Sequence, residues 1–227
     1  MSSLIAGSMA YSQRVGSPSV VTIGNFDGVH LGHQELLRET IERAKAKGLL
    51  ACAYTFEPPP RTLLAPQLQT PRILTWQDKV EHLLNFGLDY VIIEEFSLTF
   101  AGYGPEWFAT EILGKRLQAQ AIVVGYDFRY GKARGGTVDT LRRSLPNLDI
   151  HQVSALQQDD EIISSSSIRS LVSNGQVRRA SNLLSRPHLI KGIVVSGKKE
   201  GRHLGFPTAN IFTSDSLIPE RGVYAVT

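Results

Sequence analysis

"VVTIGNFDGVHLGHQELL", residues 20–37, decides the fold. The β-branched run Val20–Ile23 has the composition of a short buried strand. It breaks into Gly-Asn-Phe-Asp-Gly, and a helical pattern follows from His33 to Lys47. Leu36, Leu37, Ile41 and Ala44 lie on one side of that helix, and Gly48 is placed to cap its end. A strand that turns through glycines into a helix is the unit of a parallel α/β sheet.

Working outward, the alternation continues. "LLACAYTF" reads as a strand stopped by "EPPPR", whose three prolines speak against both helix and ladder. Gln77–Phe86 reads as a helix and "DYVIIEEF" as a strand. Pro105 suits the first position of the helix "PEWFATEILGKRL". Strand "AQAIVVGYDF", the basic loop "RYGKARGG", a helix near "VDTLRRSL" and strand "LDIHQV" complete the series. Ligands of such folds bind beyond the carboxyl ends of the strands, where "GNFDGVHLGH", "FEPPPR" and "GYDFRYGKARGG" all fall. After about residue 186 the pattern changes: "HLIKGIVVSG", "GFPTANIF" and "GVYAVT" read as short strands with no helices between them. The expected organisation is a loose lead-in over 1–17, an α/β domain over 18–185, and the start of an all-β unit over 186–227.

Composition bounds the function. A 227-residue chain with 42% hydrophobic and 20% charged residues can bury a full core. The net charge of +3 suits a phosphate-bearing small molecule, but no basic block argues for nucleic acid. The single cysteine, Cys52, excludes an internal disulfide and a cysteine metal site. No stretch reaches the length of a membrane helix, and "MSSLIAGSMAYSQRVGSPS" lacks the features of a secretory signal, so a cytoplasmic setting is expected.

In the opening stretch, Gly24 and Gly28 allow close approach of backbone to a ligand or a positive φ. The helix start directs unpaired N–H groups at the loop, and His30 and His33 add donors three residues apart. Together these suit a polyphosphate. The glycine pattern is neither a Walker loop nor the dinucleotide-binding fingerprint. Zinc held by the two histidines is the alternative, with no third ligand at a telling spacing.

Four ordered motifs carry a resemblance. "HLGH" matches the H-x-G-H signature of nucleotidyltransferases, and "GNFDGVHLGHQ" resembles that of the bacterial bifunctional riboflavin kinase/FAD synthetases. "VVGYDFRYG" (123–131), "ISSSSIR" (163–169) and "GRHLGFPTANI" (201–211) are similar to three further motifs of that family, in its order. The resemblance implies a Rossmann-like nucleotidyltransferase domain followed by the beginning of an antiparallel riboflavin kinase barrel. It implies Mg-dependent transfer of AMP from ATP to FMN, giving FAD and pyrophosphate.

By that resemblance His30, His33 and Arg169 are the catalytic candidates, with Arg169 facing the phosphates from the side opposite the histidines. Gly24, Asn25, Phe26, Gly28, Gly125, Asp127, Arg129, Ser164, Ser165 and Ser166 are the ATP-binding candidates. Lys132 and Arg134 are weaker ones, and Asp27 reads equally well as a turn residue. In the kinase half Gly205 and Pro207 would shape a nucleotide loop, while Thr208 and Asn210 would hold the magnesium of Mg-ATP. The family's riboflavin-activating glutamate lies further downstream than Thr227, so this 227-residue chain is expected not to phosphorylate riboflavin. Two departures stand out. Pro59 replaces a histidine of the family's F-x-P-H-P segment, on the flavin side, and Thr137 follows Gly136 where the family has an aspartate. They leave open a different acceptor; a flavin- or nucleotide-binding regulator without catalysis is a separate alternative, against which His30, His33 and Arg169 in their motifs speak.

Overall fold

The computed structural model describes residues 3–68, 70–158, 161–196, 208–213 and 216–226. Strand β1 (Ser3–Ala6) and helix α1 (Ser8–Arg14) open the chain, followed by β2 (Ser19–Ile23), α2 (Leu31–Lys47) and β3 (Leu50–Glu57). Then come α3 (Pro60–Leu64), α4 (Trp76–Asn85), β4 (Tyr90–Glu95) and α5 (Leu98–Ala101). Helix α6 starts at Pro105–Trp107 and continues in wide, π-type turns over Phe108–Arg116. Strand β5 (Ala119–Gly125), α7 (Val138–Ser144) and β6 (Asp149–Val153) finish the sheet. A small hairpin of β7 (Gln157–Gln158) and β8 (Glu161–Ile162), helices α8 (Ser165–Ser173) and α9 (Val177–Leu184), and an antiparallel pair β9 (Ile193–Val195) and β10 (Asn210–Phe212) follow.

Six strands form one parallel sheet in the order β1-β4-β3-β2-β5-β6. The chain grows outward from β2 through β3 and β4 on one side, then returns to add β5 and β6 on the other. The switch between β2 and β5 leaves a crevice at their carboxyl ends. Strand side chains alternate between two buried faces. Val21, Cys52, Tyr54, Ile92 and Ile122 pack with Phe108, Ile112 and Leu113 on one face; Val20, Ala51, Ala53, Val91 and Val123 pack with Leu37 and Leu83 on the other. A third apolar cluster joins α8 and α9 to Ile73 and Leu217.

Three sequence expectations are corrected. The lead-in is not loose over Ser3–Arg14: β1 pairs with β4 and α1 packs on the sheet, with the Ser8 N–H on Glu94. The four residues of β1 gain partners 87 residues away, which no local pattern announces. The prolines after β3 do not exclude helix, since Pro60 occupies the first helical position of α3, where no N–H is needed. "GVYAVT" forms no strand over its described residues 222–226, and Val223 and Val226 are exposed there. Apolar alternation makes a strand only where a neighbour completes the ladder.

Candidate active site

The loop between β2 and α2 holds an unusual backbone. Phe26, Gly28 and Val29 have φ of 50°, 86° and 41°. A buried aromatic and a β-branched residue in the left-handed region are costly conformations that neighbours must impose, and such strain gathers at functional sites. Phe26 is fully buried and its ring lies against Gly24, where a Cβ would meet it at 3.1 Å. Gly24 is therefore needed for packing and Gly28 for its φ.

His30 is the N-cap of α2, so the helix begins at Leu31, two residues earlier than the apolar pattern indicates. The His33 N–H donates to His30 Nδ1 at 3.4 Å. The two rings stack with centroids 3.6 Å apart, and Phe26 meets the His33 ring edge-on. Gly32 was not foreseen as a site residue, yet a Cβ there would stand 3.2 Å from the His30 ring. The stacked pair therefore accounts for the glycine of H-x-G-H. Burial, reinforced by Arg186 and Arg169, pushes the His30 pKa down to about 4. Burial, with the charges of His30 and Lys79, holds His33 well below the usual histidine range. Both rings are neutral at pH 7, where each still carries one N–H donor. His33 Nδ1 is sealed from solvent and has no hydrogen-bond partner among the described residues.

Three cavities meet at Asn25, which lines all of them. The first, of about 340 Å³, fills the crevice between β2 and β5. Gly24, Phe26, His30, Gly32 and His33 form one wall, Gly125, Asp127 and Arg129 the opposite one, and Ser164 and Ser165 close the end. Ser164 caps α8 in a reciprocal capping box with Ser167, and Ser165 Oγ donates to the Asp27 carbonyl at 2.8 Å. The second cavity, of about 630 Å³, is basic, with Arg61, Arg72, Lys79 and Arg169 on its walls beside Asp27 and Pro59. The third, of about 480 Å³, is aromatic: Phe56, Phe96, Phe100, Phe108 and Phe128 line it, with Arg129 and Arg134 at its rim.

Most of the expected residues are thus brought together, with exceptions. Ser166 is exposed in the first turn of α8, away from these walls. Gly28 does not line the crevice; it packs on Ile73 and its carbonyl accepts from Arg186 Nη2 at 2.6 Å. Arg169 lies in the second cavity rather than across from the histidines, because Asp27 Oδ2 holds it at 2.6 Å. Asp27 is more than a turn residue, since its carboxylate also accepts the N–H groups of Ile73 and Leu74. Lys132 is exposed and absent from all three linings. Thr137 caps α7 through its hydroxyl, a task an aspartate performs equally, so that departure leaves the helix start intact. Thr208 and Asn210 are exposed at the start of β10, while Gly205 and Pro207 lie outside the described residues.

Contacts with the distant end of α9 complete the loop, and Arg186 makes them without a sequence signal of its own. Gln34 Nε2 donates to the carbonyls of Val29 and Leu184, and Arg186 braces Gly28 and Val29 from beneath.

A family model described as FAD synthetase matches residues 12–167, and one described as riboflavin kinase matches residues 184–227. The bifunctional riboflavin kinase/FMN adenylyltransferase of Bacillus subtilis (strain 168) is 39% identical over 212 residues, covering 92% of this chain and 66% of the relative. That of Escherichia coli (strain K12) is 35% identical over 225 residues, covering 98% and 72%. The chain therefore spans about two thirds of the length of these curated relatives. Among solved structures, a Streptococcus pneumoniae protein described as a macrolide-efflux protein superposes with a TM-score of 0.85 at 31% identity, covering 97% of this chain and 73% of that one. That description belongs to that protein; among the described residues here, no helix is long and apolar enough to cross a membrane. Pantoate-β-alanine ligase from Francisella tularensis shares the fold at a TM-score of 0.52 and 12% identity, over 82% of this chain and 78% of that one. With a family model covering most of its length and relatives above 30% identity, the chain belongs to the FAD synthetase family of bifunctional riboflavin kinase/FMN adenylyltransferases.

Proposed function

We propose that the α/β domain joins ATP and FMN at Asn25, transferring AMP to the FMN phosphate and releasing pyrophosphate. The observation that carries this reading is the meeting of three chemically distinct cavities at one residue. The crevice at the sheet switch takes the adenosine, the basic cavity takes phosphates, and the aromatic cavity suits the flat, apolar ring system of a flavin.

In the reaction an FMN phosphate oxygen forms a bond to the α-phosphorus of ATP while the bond to the β-phosphate bridging oxygen breaks. The electron pair leaves with pyrophosphate. Such transfer needs alignment and charge stabilisation more than covalent chemistry. His30 and His33, held neutral and stacked, present N–H donors to the phosphates rather than a second full charge. The N-terminus of α2 adds its dipole. Ser164 and Ser165 border the phosphates at the mouth of α8, where the helix N-terminus supplies the positive potential, since their hydroxyls already donate to Ser167 Oγ and the Asp27 carbonyl. Asp127 and Arg129 border both nucleotide and flavin spaces, and Arg169 balances charge that builds on the leaving pyrophosphate. Magnesium, arriving with ATP, would neutralise phosphate oxygens. No group of three or more His, Cys, Asp or Glu able to hold a metal occurs among the described residues. In the kinase half Thr208 and Asn210 offer hard oxygen donors suited to the same ion.

Removing the imidazole in His33→Ala should slow FAD formation on the order of a hundredfold, the usual effect of losing a transition-state donor. Unchanged turnover in the folded variant would refute the role given to His33.

A further inference from the structure

Among the described residues, Lys79 is a buried cation without a carboxylate partner. It sits in the second turn of α4, only 5% exposed, yet lines the basic cavity. Its ammonium donates to two neutral acceptors, Thr55 Oγ1 at 3.2 Å and the Phe56 carbonyl at 3.4 Å. Both are long beside the 2.7–2.9 Å usual for charge-assisted bonds. Two carboxylates, Glu57 and Asp27, are close enough for their charges to reach it. Each is already engaged: Glu57 by both terminal nitrogens of Arg72, at 2.7 and 3.1 Å, and Asp27 by Arg169. Among the described residues none comes within 4.0 Å of the Lys79 ammonium. A charge taken out of water and left this poorly compensated weakens the fold unless an anion completes it.

The surroundings say what that anion is. Lys79 lies between Phe56, which lines the aromatic cavity, and the walls shared with Arg169 and Ser165. Its charge also reaches His33. Since both histidines are neutral, the full positive charge available on this flank comes from Lys79 and the cavity's arginines. We propose that the Lys79 ammonium binds a phosphate oxygen of the reacting substrates and is a further catalytic residue of the transfer, an inference that rests on the adenylyltransferase reading. The oxygen belongs either to the pyrophosphate portion of ATP or to the 5′-phosphate of FMN; both are phosphoryl oxygens that enter this cavity.

The experiment measures binding of inorganic pyrophosphate, FMN and riboflavin to wild type, Lys79→Met and Lys79→Arg, with melting temperatures and FAD formation alongside. Lys79→Met should weaken pyrophosphate or FMN by about ten- to hundredfold, leave riboflavin binding within twofold, and melt no lower than wild type. Loss confined to pyrophosphate assigns the contact to the leaving group; loss confined to FMN assigns it to the acceptor. Burial pushes the Lys79 pKa down to about 8 against the pull of Glu57 and Asp27 and with the help of Arg72. Affinity for the affected ligand should therefore fall in wild type as pH rises through 8, and this fall should be absent in Lys79→Arg, whose side chain stays charged. That comparison also serves if Lys79→Met does not fold. Unchanged affinity for both phosphate ligands, or the same pH dependence in wild type and Lys79→Arg, would overturn the proposal. Wild type that makes no FAD would sink the adenylyltransferase reading instead.

Discussion

The ion pair between Asp27 and Arg169 ties the histidine loop to helix α8, and its strength can be worked out in advance. The partners are 2.6 Å apart and about one fifth exposed, at 20% and 18%. Breaking a fully buried pair costs about 3–5 kcal/mol, and an exposed one contributes about 0–1 kcal/mol. At this depth, removing one charge should cost about 2 kcal/mol, in keeping with a charge-assisted hydrogen bond. Asp27→Asn is the clean perturbation, because the amide carbonyl can still accept from Ile73 and Leu74. For a chain of this size that loss lowers the melting temperature by about 4–8 °C. Arg169→Met should cost less, since Asp27 keeps its two backbone donors. Thermal melts of both single variants and the double variant at pH 7 close a cycle whose coupling should exceed about 1 kcal/mol. Additivity within about 0.5 kcal/mol would refute the pair as a structural tie.

Gly32→Ala should fold but displace the His30 ring by a few tenths of an ångström, since the new Cβ would stand 3.2 Å from it. FAD turnover should fall about tenfold with little change in melting temperature, because alignment of the stacked imidazoles is what suffers. The histidines also set an acid limit. The unfolded chain protonates His30 near 6.5 and the folded chain only near 4, so lowering the pH favours unfolding. Stability is intact above 6.5 and declines by about 3 kcal/mol as pH falls to 4; His33 adds in the same direction. Urea titrations from pH 7 to 4.5 should show a shallower decline in His30→Asn, which keeps a capping side chain without the titration. Phe100→Ala should raise the KM for FMN roughly tenfold, from lost aromatic contact in the third cavity, and leave the KM for ATP unchanged. Equal effects on both substrates would argue against a separate flavin slot.

What the sequence disclosed and what it hid divide on locality. The strand, the glycine turn, the helix mouth and the two histidines occupy one stretch, so their spacing alone placed a glycine- and histidine-bearing loop at the end of β2. The capping serines of α8 were legible for the same reason: Ser164 and Ser167 are neighbours on one turn. Lys79 gave no sign of itself, since in "QDKVEHLL" it reads as one more surface charge on an amphipathic helix. Only packing against Thr55 and Phe56 makes it a buried cation. Arg186 and Gln34 likewise acquire their meaning across about 150 residues of chain. Arg169 was identified by its motif but misplaced, because the partner that directs it, Asp27, lies 142 residues away. Strand β1 was missed because four residues with an ordinary composition become a strand only beside β4.

The most direct test is chromatographic. The 227-residue chain, incubated with ATP, magnesium and FMN, should yield FAD and pyrophosphate in equal amounts, and chelation of magnesium should stop it. ATP bound in the crevice at the β2–β5 switch, with no FAD formed from FMN, would contradict the assignment of FMN as the acceptor.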